Sequence, residues 1–235
     1  MKNNIIKLLP ISITLIMILF FYFIMFFGIT YRFTSKEFIN LEVTNEIVTF
    51  NKIFNKDEID SVNIISDFSN VIIEKSDNDK IEISSKYHQD STLSITVKRK
   101  KLTIRQYSNN AQGIDSNKYI LIKVPNKDFE KIKISSPILN VSFNNCYFES
   151  IDIKSRVSTI DLVFKKSPKK IKLTIDTGTI HLNIPQSKNN KFKIYTSRSE
   201  LMFYNKKYIG LINQTFGEGF NLIIIRCGFG FISIY

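Results

Sequence analysis

Residues 129–184 contain one short pattern three times: FEKIKISSPILNVSF (129–143), FESIDIKSRVSTIDLVF (148–164) and KKIKLTIDTGTIHLNI (169–184). The copies align with steps of 19 and then 20 residues, so that one apolar column contains Ile132, Ile151 and Ile171. A second column follows nine residues later and contains Val141, Ile160 and Ile180. Within each copy, apolar residues alternate with Lys, Asp, Ser or Asn, a period typical of half-buried strands. Each copy therefore predicts two strands.

The same offset of nine residues occurs in three further segments. The pairs that mark it are Val62 and Val71, Phe192 and Leu201, and Ile223 and Ile232. The equivalent position between the two strands of each unit is occupied by Ser69, Leu139, Ser158, Gly178, Ser199 and Gly230. Small or polar residues suit a chain reversal, so the pattern predicts six strand-turn-strand units, each with a tight turn.

Such a unit has to be stacked to be stable. It buries roughly four or five aliphatic side chains, which contribute on the order of 10 kcal/mol at ~1.5–3 kcal/mol each. Ordering the backbone of roughly 20 residues costs more, at ~1–2 kcal/mol per residue. The sequence therefore predicts an all-β fold, a β-solenoid-like stack of ~20-residue repeats in which neighbours share hydrogen bonds and core.

An apolar segment precedes the repeats. Residues 8–29 read LLPISITLIMILFFYFIMFFGI, and these 22 residues carry no charge. As a helix they would span about 33 Å, enough for a hydrocarbon core of ~30 Å. No A-x-A pattern follows, which favours an uncleaved transmembrane signal-anchor at residues 1–30 over a cleaved signal peptide. Lys2 and Lys7, against Arg32 and Lys36, favour a cytoplasmic amino terminus and an extracytoplasmic β domain.

The remaining segments complete the domain plan. Residues 31–58 are interpreted as a connector with a candidate first strand at 47–50 and a turn at 55–58, and residues 59–235 as the β-repeat domain. Within that domain, further strands are predicted at 81–83, 93–97, 102–104 and 120–124. Residues 106–118 and 205–219 are interpreted as loops.

The formal net charge of +12 would suit anionic lipid headgroups, anionic wall polymers or nucleic acid. A simpler interpretation is that an AT-rich genome favours lysine codons. Alternating lysines such as Lys131 and Lys133 also keep exposed strand faces soluble. The sequence does not interleave aromatic residues with Arg as a nucleic-acid platform would, so we expect no nucleic-acid partner. Attraction to anionic envelope surfaces stays open.

Candidates for chemistry are few. One outward column places Asp161 beside His181, and another places Arg156 beside Asp176. An Asp–His pair could orient a base, but a cross-strand polar pair on a solvated sheet is the simpler interpretation. The other histidine, His88, lies in a different region. We therefore predict no catalytic, cofactor-binding or metal-binding residues.

The two cysteines are interpreted as structural. Cys227 falls in the column of Ile175, which predicts a small core residue. Cys146 falls in a turn between units, several strands away along the stack. Strands spaced ~4.8 Å apart would hold the two thiols too far apart, so we expect no disulfide.

Several segments carry a family resemblance. They are IDSVNIISDFSNVIIEK (59–75), ILIKVP (120–125) followed by KIKIS (131–135), KLTIDTGTIHLNIP (172–185) and GEGFNLIIIRCGFGFISIY (217–235). Over residues 59–235 the chain resembles the bacterial "putative adhesin" proteins, a family with β-strand repeats. Members place Gly at the mid-unit turn, as Gly178 and Gly230 do, whereas Ser158, Ser199 and Leu139 mark a divergent member. The resemblance implies an N-terminal membrane segment, for some members a role in the envelope-stress systems of Gram-positive bacteria, and no catalytic residues.

We therefore predict a membrane-anchored, extracytoplasmic β-repeat module of the bacterial cell envelope that binds or supports without catalysis, related to adhesion. One alternative is a regulator of envelope stress that acts through protein–protein contact. Another is a carbohydrate-active enzyme on a solenoid scaffold. Expected partners are the membrane and an envelope polymer or membrane protein. Residues 232–235 end the chain inside a strand without a polar cap, which predicts self-association or strand capture through an unpaired C-terminal edge.

Overall fold

The computed structural model describes residues 47–88, 91–108 and 118–235. These residues form one hydrogen-bonded sheet of 14 strands. The strands are β1 (Ile47–Asn55), β2 (Ser61–Ser66), β3 (Phe68–Lys75), β4 (Lys80–His88), β5 (Ser91–Lys98), β6 (Lys101–Ser108), β7 (Tyr119–Val124), β8 (Phe129–Ser135), β9 (Ile138–Asn144), β10 (Phe148–Val163), β11 (Lys170–Asn183), β12 (Asn190–Phe203), β13 (Lys206–Phe216) and β14 (Asn221–Ile234). A 3-10 helix, Lys56–Glu58, occupies the turn predicted after β1. The all-β prediction is confirmed.

Parallel pairing stacks the six predicted units in register. Ile151 pairs with Ile132 on one side and with Ile171 on the other, and the second column pairs in the same way. The register extends to β2 and β3 at one end, and to β14 and β12 at the other. The side chains of both columns are buried in a single core. The predicted columns and the offset of nine residues are confirmed.

The tight turn predicted inside each unit is wrong, because the chain bends there without reversing. β10, β11, β12 and β14 each run through both halves of a unit as one strand. Their parallel pairing skips one residue on each strand, such as Arg156 opposite Asp176. We call the bend at this unpaired position the corner of the unit. It shifts the alternation of inward and outward side chains by one residue, so that Ile153 before the corner and Ile160 after it both point into the core. The result is an open sheet curled as a half-barrel.

The order of the stack differs from the order of the chain. β14 lies between β11 and β12 and pairs in parallel with both. β12 and β13 form an antiparallel hairpin, and its turn residues Tyr204 and Asn205 have positive φ angles of 43° and 68°, as a type I′ turn requires. β13 thus brings the chain back to the level at which β12 begins, and from there β14 runs parallel to β12 on the side opposite β13.

Two expectations about the C-terminal part are therefore wrong. Residues 205–219 are not a loop, because most of them form β13, with Tyr208 and Phe216 packed against the core. The sequence obscured this strand, since Gly210 with φ of +100° and a register shift beside it interrupt the alternation. The C-terminal strand is not an unpaired edge, since β14 has a partner on each side. The hypothesis of self-association through residues 232–235 assumed an unpaired edge, and β14 does not provide one.

The start of the chain is only partly described. The candidate strand at residues 47–50 is confirmed as part of β1, which pairs antiparallel with β4, so the sheet begins before the expected boundary at residue 59. The predicted membrane-spanning segment, residues 8–29, lies outside the described residues. Among the residues that are described, no helix has the length and apolar character needed to cross a membrane.

Gly178 sits at the corner of β11, where neighbouring backbones approach closely. Its φ is +149°, and a Cβ there would overlap the carbonyl oxygen of Ser158. We expect Gly178→Ala to lower the free energy of unfolding by about 2–6 kcal/mol, the sum of ~1–3 for backbone strain and ~1–3 for overpacking. Denaturant unfolding measures this loss. Gly210→Ala is the matched control, because its φ is also positive but a Cβ there would meet nothing within 4 Å. An equal loss in both variants would contradict the assignment of the close approach.

Candidate functional site

The second halves of the stacked units present an outward surface, the polar face, made of the outward side chains of β3, β9 and the parts of β10, β11, β14 and β12 after their corners. Parallel register arranges these side chains in rows across the strands. One row is Ile72, Ser142, Asp161, His181, Ser233 and Met202. The next is Asn70, Asn140, Thr159, Thr179, Phe231 and Glu200. The predicted placement of Asp161 beside His181 is thus confirmed.

A groove of about 370 Å³ opens on the polar face. Its polar lining consists of Asn70, Tyr119, Asn140, Ser142, Thr159 and Asp161. Asn140 Nδ2 donates to Asn70 Oδ1 at 3.0 Å, and Asn70 Nδ2 donates to the carbonyl oxygen of Lys118 at 3.0 Å. These bonds fix the amide orientations. The groove therefore offers amide, hydroxyl, phenol and carboxylate groups on adjacent strands, spaced by ~4.8 Å.

His181 bonds to Ser233 on the next strand. His181 Nδ1 lies 2.8 Å from Ser233 Oγ, and Ser233 Oγ lies 2.8 Å from the hydroxyl oxygen of Tyr235. Ser233 Oγ therefore bridges the imidazole and the Tyr235 hydroxyl, and the imidazole tautomer sets which atom of the His181–Ser233 pair donates. The His181 ring also meets Phe231 edge-on, with centroids 5.9 Å apart.

The order Asp161, His181, Ser233 along one row resembles a hydrolase triad, but its geometry is unsuited to nucleophilic attack. A triad needs an exposed serine whose proton the imidazole accepts. Ser233 is 0% exposed, and its Oγ also bonds to the Tyr235 hydroxyl. In a triad the Nδ1 atom bonds to the orienting carboxylate, whereas Nδ1 of His181 contacts the serine. Within the described part of the chain, His181, Ser233 and Tyr235 form a structural hydrogen-bond chain that does not include Asp161, and these three residues therefore serve packing and not catalysis.

The remaining candidate residues lie apart. Arg156 and Asp176 occupy equivalent corner positions on neighbouring strands and are both exposed, and in the described part of the chain they form no ion pair with each other. His88 ends β4, away from His181 in the sheet order. In residues 47–88, 91–108 and 118–235, no group of three or more His, Cys, Asp or Glu side chains could hold a metal ion.

Both cysteines are buried free thiols. Cys227 pairs with Ile175 on the neighbouring strand, which confirms its predicted column, and lies 3.7 Å from Ser199 Oγ. Burial raises the pKa of Cys227, and it raises the pKa of Cys146 from 9.0 to about 12. The Cys146 thiol donates to the carbonyl oxygen of Asn144 at 3.3 Å. Protonated, buried thiols are poor nucleophiles.

Sequence reasoning missed the groove. The offset of nine residues already placed Asn70 opposite Asn140, but alternation alone gave no reason to select this pair among many polar columns. Tyr119 could not be placed, because β7 joins the stack beside β3 after a long excursion through β4, β5 and β6.

The comparisons with known proteins bear on the fold. A "putative cell adhesion protein" from Clostridium sporogenes ATCC 15579 has a solved structure that matches with a TM-score of 0.54 and 16% identity, covering 80% of this chain and 99% of that protein. The chain has the fold of this clostridial protein. The resemblance to "putative adhesin" proteins, inferred from sequence, is therefore confirmed for the fold. No protein-family model and no curated protein matches the sequence.

Two further solved structures match more distantly. A "putative adhesin" from Bacteroides fragilis NCTC 9343 has a TM-score of 0.35 and 9% identity, over 80% of this chain and 97% of that one. A "putative lipid binding protein" from Parabacteroides distasonis ATCC 8503 has a TM-score of 0.25 and 11% identity, over 80% and 96%. At these scores neither likeness carries an argument.

The His181–Ser233–Tyr235 chain makes a stability prediction. Ser233→Ala removes the hydrogen-bond partner of both His181 Nδ1 and the Tyr235 hydroxyl, so we expect a loss of about 1–3 kcal/mol in the free energy of unfolding. Asp161→Asn, in the same row, should change it by less than about 0.5 kcal/mol, because that side chain is exposed. Chemical denaturation of the two variants measures the contrast. A larger effect of Asp161→Asn would revive the Asp–His pair.

The buried thiols make a pH prediction. Because the pKa of Cys146 is about 12 in the folded chain and 9.0 when exposed, the unfolded thiol ionises first as the pH rises. The free energy of unfolding should therefore fall as the pH increases through this window. The decrease should be smaller in Cys146→Ser, whose hydroxyl does not titrate there. Unfolding curves at neutral pH and at a pH of about 11 test this. Equal decreases in both proteins would contradict the prediction.

Proposed function

We propose that this chain is a membrane-anchored, extracytoplasmic binding and structural module of the bacterial cell envelope, related to adhesion and without catalysis. The observation that carries the proposal is the groove on the polar face. It presents donors and acceptors on neighbouring hydrogen-bonded strands of one sheet, as a binding surface requires. The fold shared with a protein named for cell adhesion supports it. The buried Ser233 and the protonated cysteines fit a module that binds and does not react.

The groove chemistry indicates the class of ligand. Amide and hydroxyl groups both donate and accept hydrogen bonds, and Asp161 accepts them, so a ligand dense in hydroxyl groups would satisfy them best. Tyr119 adds an apolar ring with a polar tip. A carbohydrate polymer of the envelope has this chemistry. The anchor at residues 8–29 would hold the groove outside the membrane.

Two measurements test the proposal. A carboxyl-terminal tag should be removed by protease added to intact cells, because the domain is expected outside. The full chain should also bind purified cell-wall polysaccharide, and Asn140→Leu should weaken this binding by about tenfold, since it leaves Asn70 Oδ1 without its amide donor and removes a polar group. Thr179→Leu, on the same face but outside the groove lining, is the matched control.

The outcomes separate the alternatives. Protection of the tag until lysis would overturn the extracytoplasmic placement. A chain that binds no polysaccharide but cross-links to one membrane protein in cells would favour the envelope-stress regulator. Cleavage of the polysaccharide by the purified chain would favour the enzyme.

A further inference from the structure

The first halves of the stacked units present a second outward surface, the basic face, which carries six lysines in two rows. Lys131, Lys170 and Lys191 share one row, and Lys133, Lys172 and Lys193 share the next. Within each row the lysines recur on every second strand of the stack, because β10 separates β8 from β11 and β14 separates β11 from β12. From strand geometry they are spaced by about 9.6 Å across the strands and about 6.6 Å between rows. The lysines form a two-dimensional lattice of charge.

Little on this face neutralises the lattice. A third row adds Arg105, Lys154 and Arg226, and Arg226 lies over the Tyr195 ring at 5.2 Å. The acidic residue in these rows is Asp152, between Lys133 and Lys172. Among the described residues, none of the six lysines has an ion pair with a carboxylate.

The polar face on the other half of the sheet is different. Neither of its two rows described above contains a lysine. On the flanking strands β7 and β13, Lys123 pairs with Glu74 at 3.5 Å and Lys207 pairs with Glu200 at 2.9 Å. The positive charge of the domain is therefore distributed asymmetrically. Parallel register places like charges close together on the basic face, and their repulsion is relieved when an anionic partner covers them.

Apolar side chains lie beside the lattice. Leu222 and Ile224 stand half-buried between the lysine columns, at the positions that separate Lys170 from Lys191 and Lys172 from Lys193. Phe220, which immediately precedes β14, is 94% exposed. An exposed aromatic residue at the border of a basic surface is typical of protein surfaces that bind the membrane interface.

We propose that the basic face docks on a bilayer surface that contains anionic phospholipids, with Phe220 entering the headgroup region. A linear phosphate polymer would need one track of cations and no exposed apolar residue. A bilayer matches both a lattice in two dimensions and Phe220. The 16 residues between the predicted anchor and β1 would also keep the domain within about 55 Å of the membrane. The proposal is independent of the polar groove, which this docking leaves open.

The test uses the full chain in nanodiscs of phosphatidylcholine alone or mixed with phosphatidylglycerol. Because Cys146 and Cys227 are buried, Phe220→Cys introduces a single accessible thiol for a polarity-sensitive fluorophore. We expect a blue shift of its emission in the anionic nanodiscs only, reversed by high salt. A probe at Ile209→Cys, 73% exposed and opposite Glu200 on the other face, should give no shift.

Charge variants make the test quantitative. Neutralising Lys133, Lys172 and Lys193 to Gln should lower the docked-to-free ratio about 100-fold, at about fivefold for each lysine. Lys123→Gln and Lys207→Gln, on the strands β7 and β13 that flank the polar face, should leave this ratio unchanged. The proposal is overturned by equal shifts in neutral and anionic nanodiscs, by an unaffected triple variant, or by binding to soluble polyphosphate without any lipid-dependent shift. Failure to bind polysaccharide would contradict the proposed function of the groove and not the docking of the basic face on the bilayer.

Discussion

The structure depends on the parallel, in-register pairing of one bent strand with its neighbours. A single unit buries too few aliphatic side chains to offset the backbone entropy it loses. Pairing places Ile132, Ile151 and Ile171 against one another in a column without water, while each strand satisfies the backbone groups of the next. The inward positions therefore accept aliphatic residues of similar size. The same register also aligns the outward side chains of neighbouring strands in rows. This outward repetition is the source of both proposed binding surfaces.

The corner in each unit divides the sheet chemically as well as geometrically. One unpaired residue shifts the alternation, so that both halves face one core while their outward sides form separate surfaces. Lysines recur on the first surface, whereas amides, hydroxyls and paired charges occupy the second. Gly178 and Gly230 allow neighbouring backbones to approach at this corner, where a side chain would overlap the adjacent carbonyl. If the chain had reversed at the corner, the two halves of each unit would have paired with each other as a hairpin. The sheet would then have had one outward surface and not two.

The C-terminal hairpin completes the stack in a way that protects the end of the chain. β13 folds back on β12, and β14 then fills the position between β12 and β11. β14 is thereby paired on both sides up to Ile234, and the buried Ser233 joins His181 to Tyr235. Phe203 stacks on Phe216 with centroids 4.1 Å apart, so aromatic rings close the core beside the hairpin. The C-terminal strand is thus an interior strand of the sheet and not an edge.

The sequence by itself determined the units, their columns and their register, because a buried column allows only apolar residues with a period of two and leaves that constraint visible at every copy. It also placed Asp161 beside His181 and Cys227 beside Ile175, since both follow from the register. The tertiary structure alone decided that the chain bends at each corner, because Ser158 or Gly178 suits a bend as well as a reversal. It alone decided that β14 lies inside the stack, since a strand paired on both sides carries the same alternation as one at an edge. The segregation of lysines onto one face likewise required knowing which half of each unit faces which way.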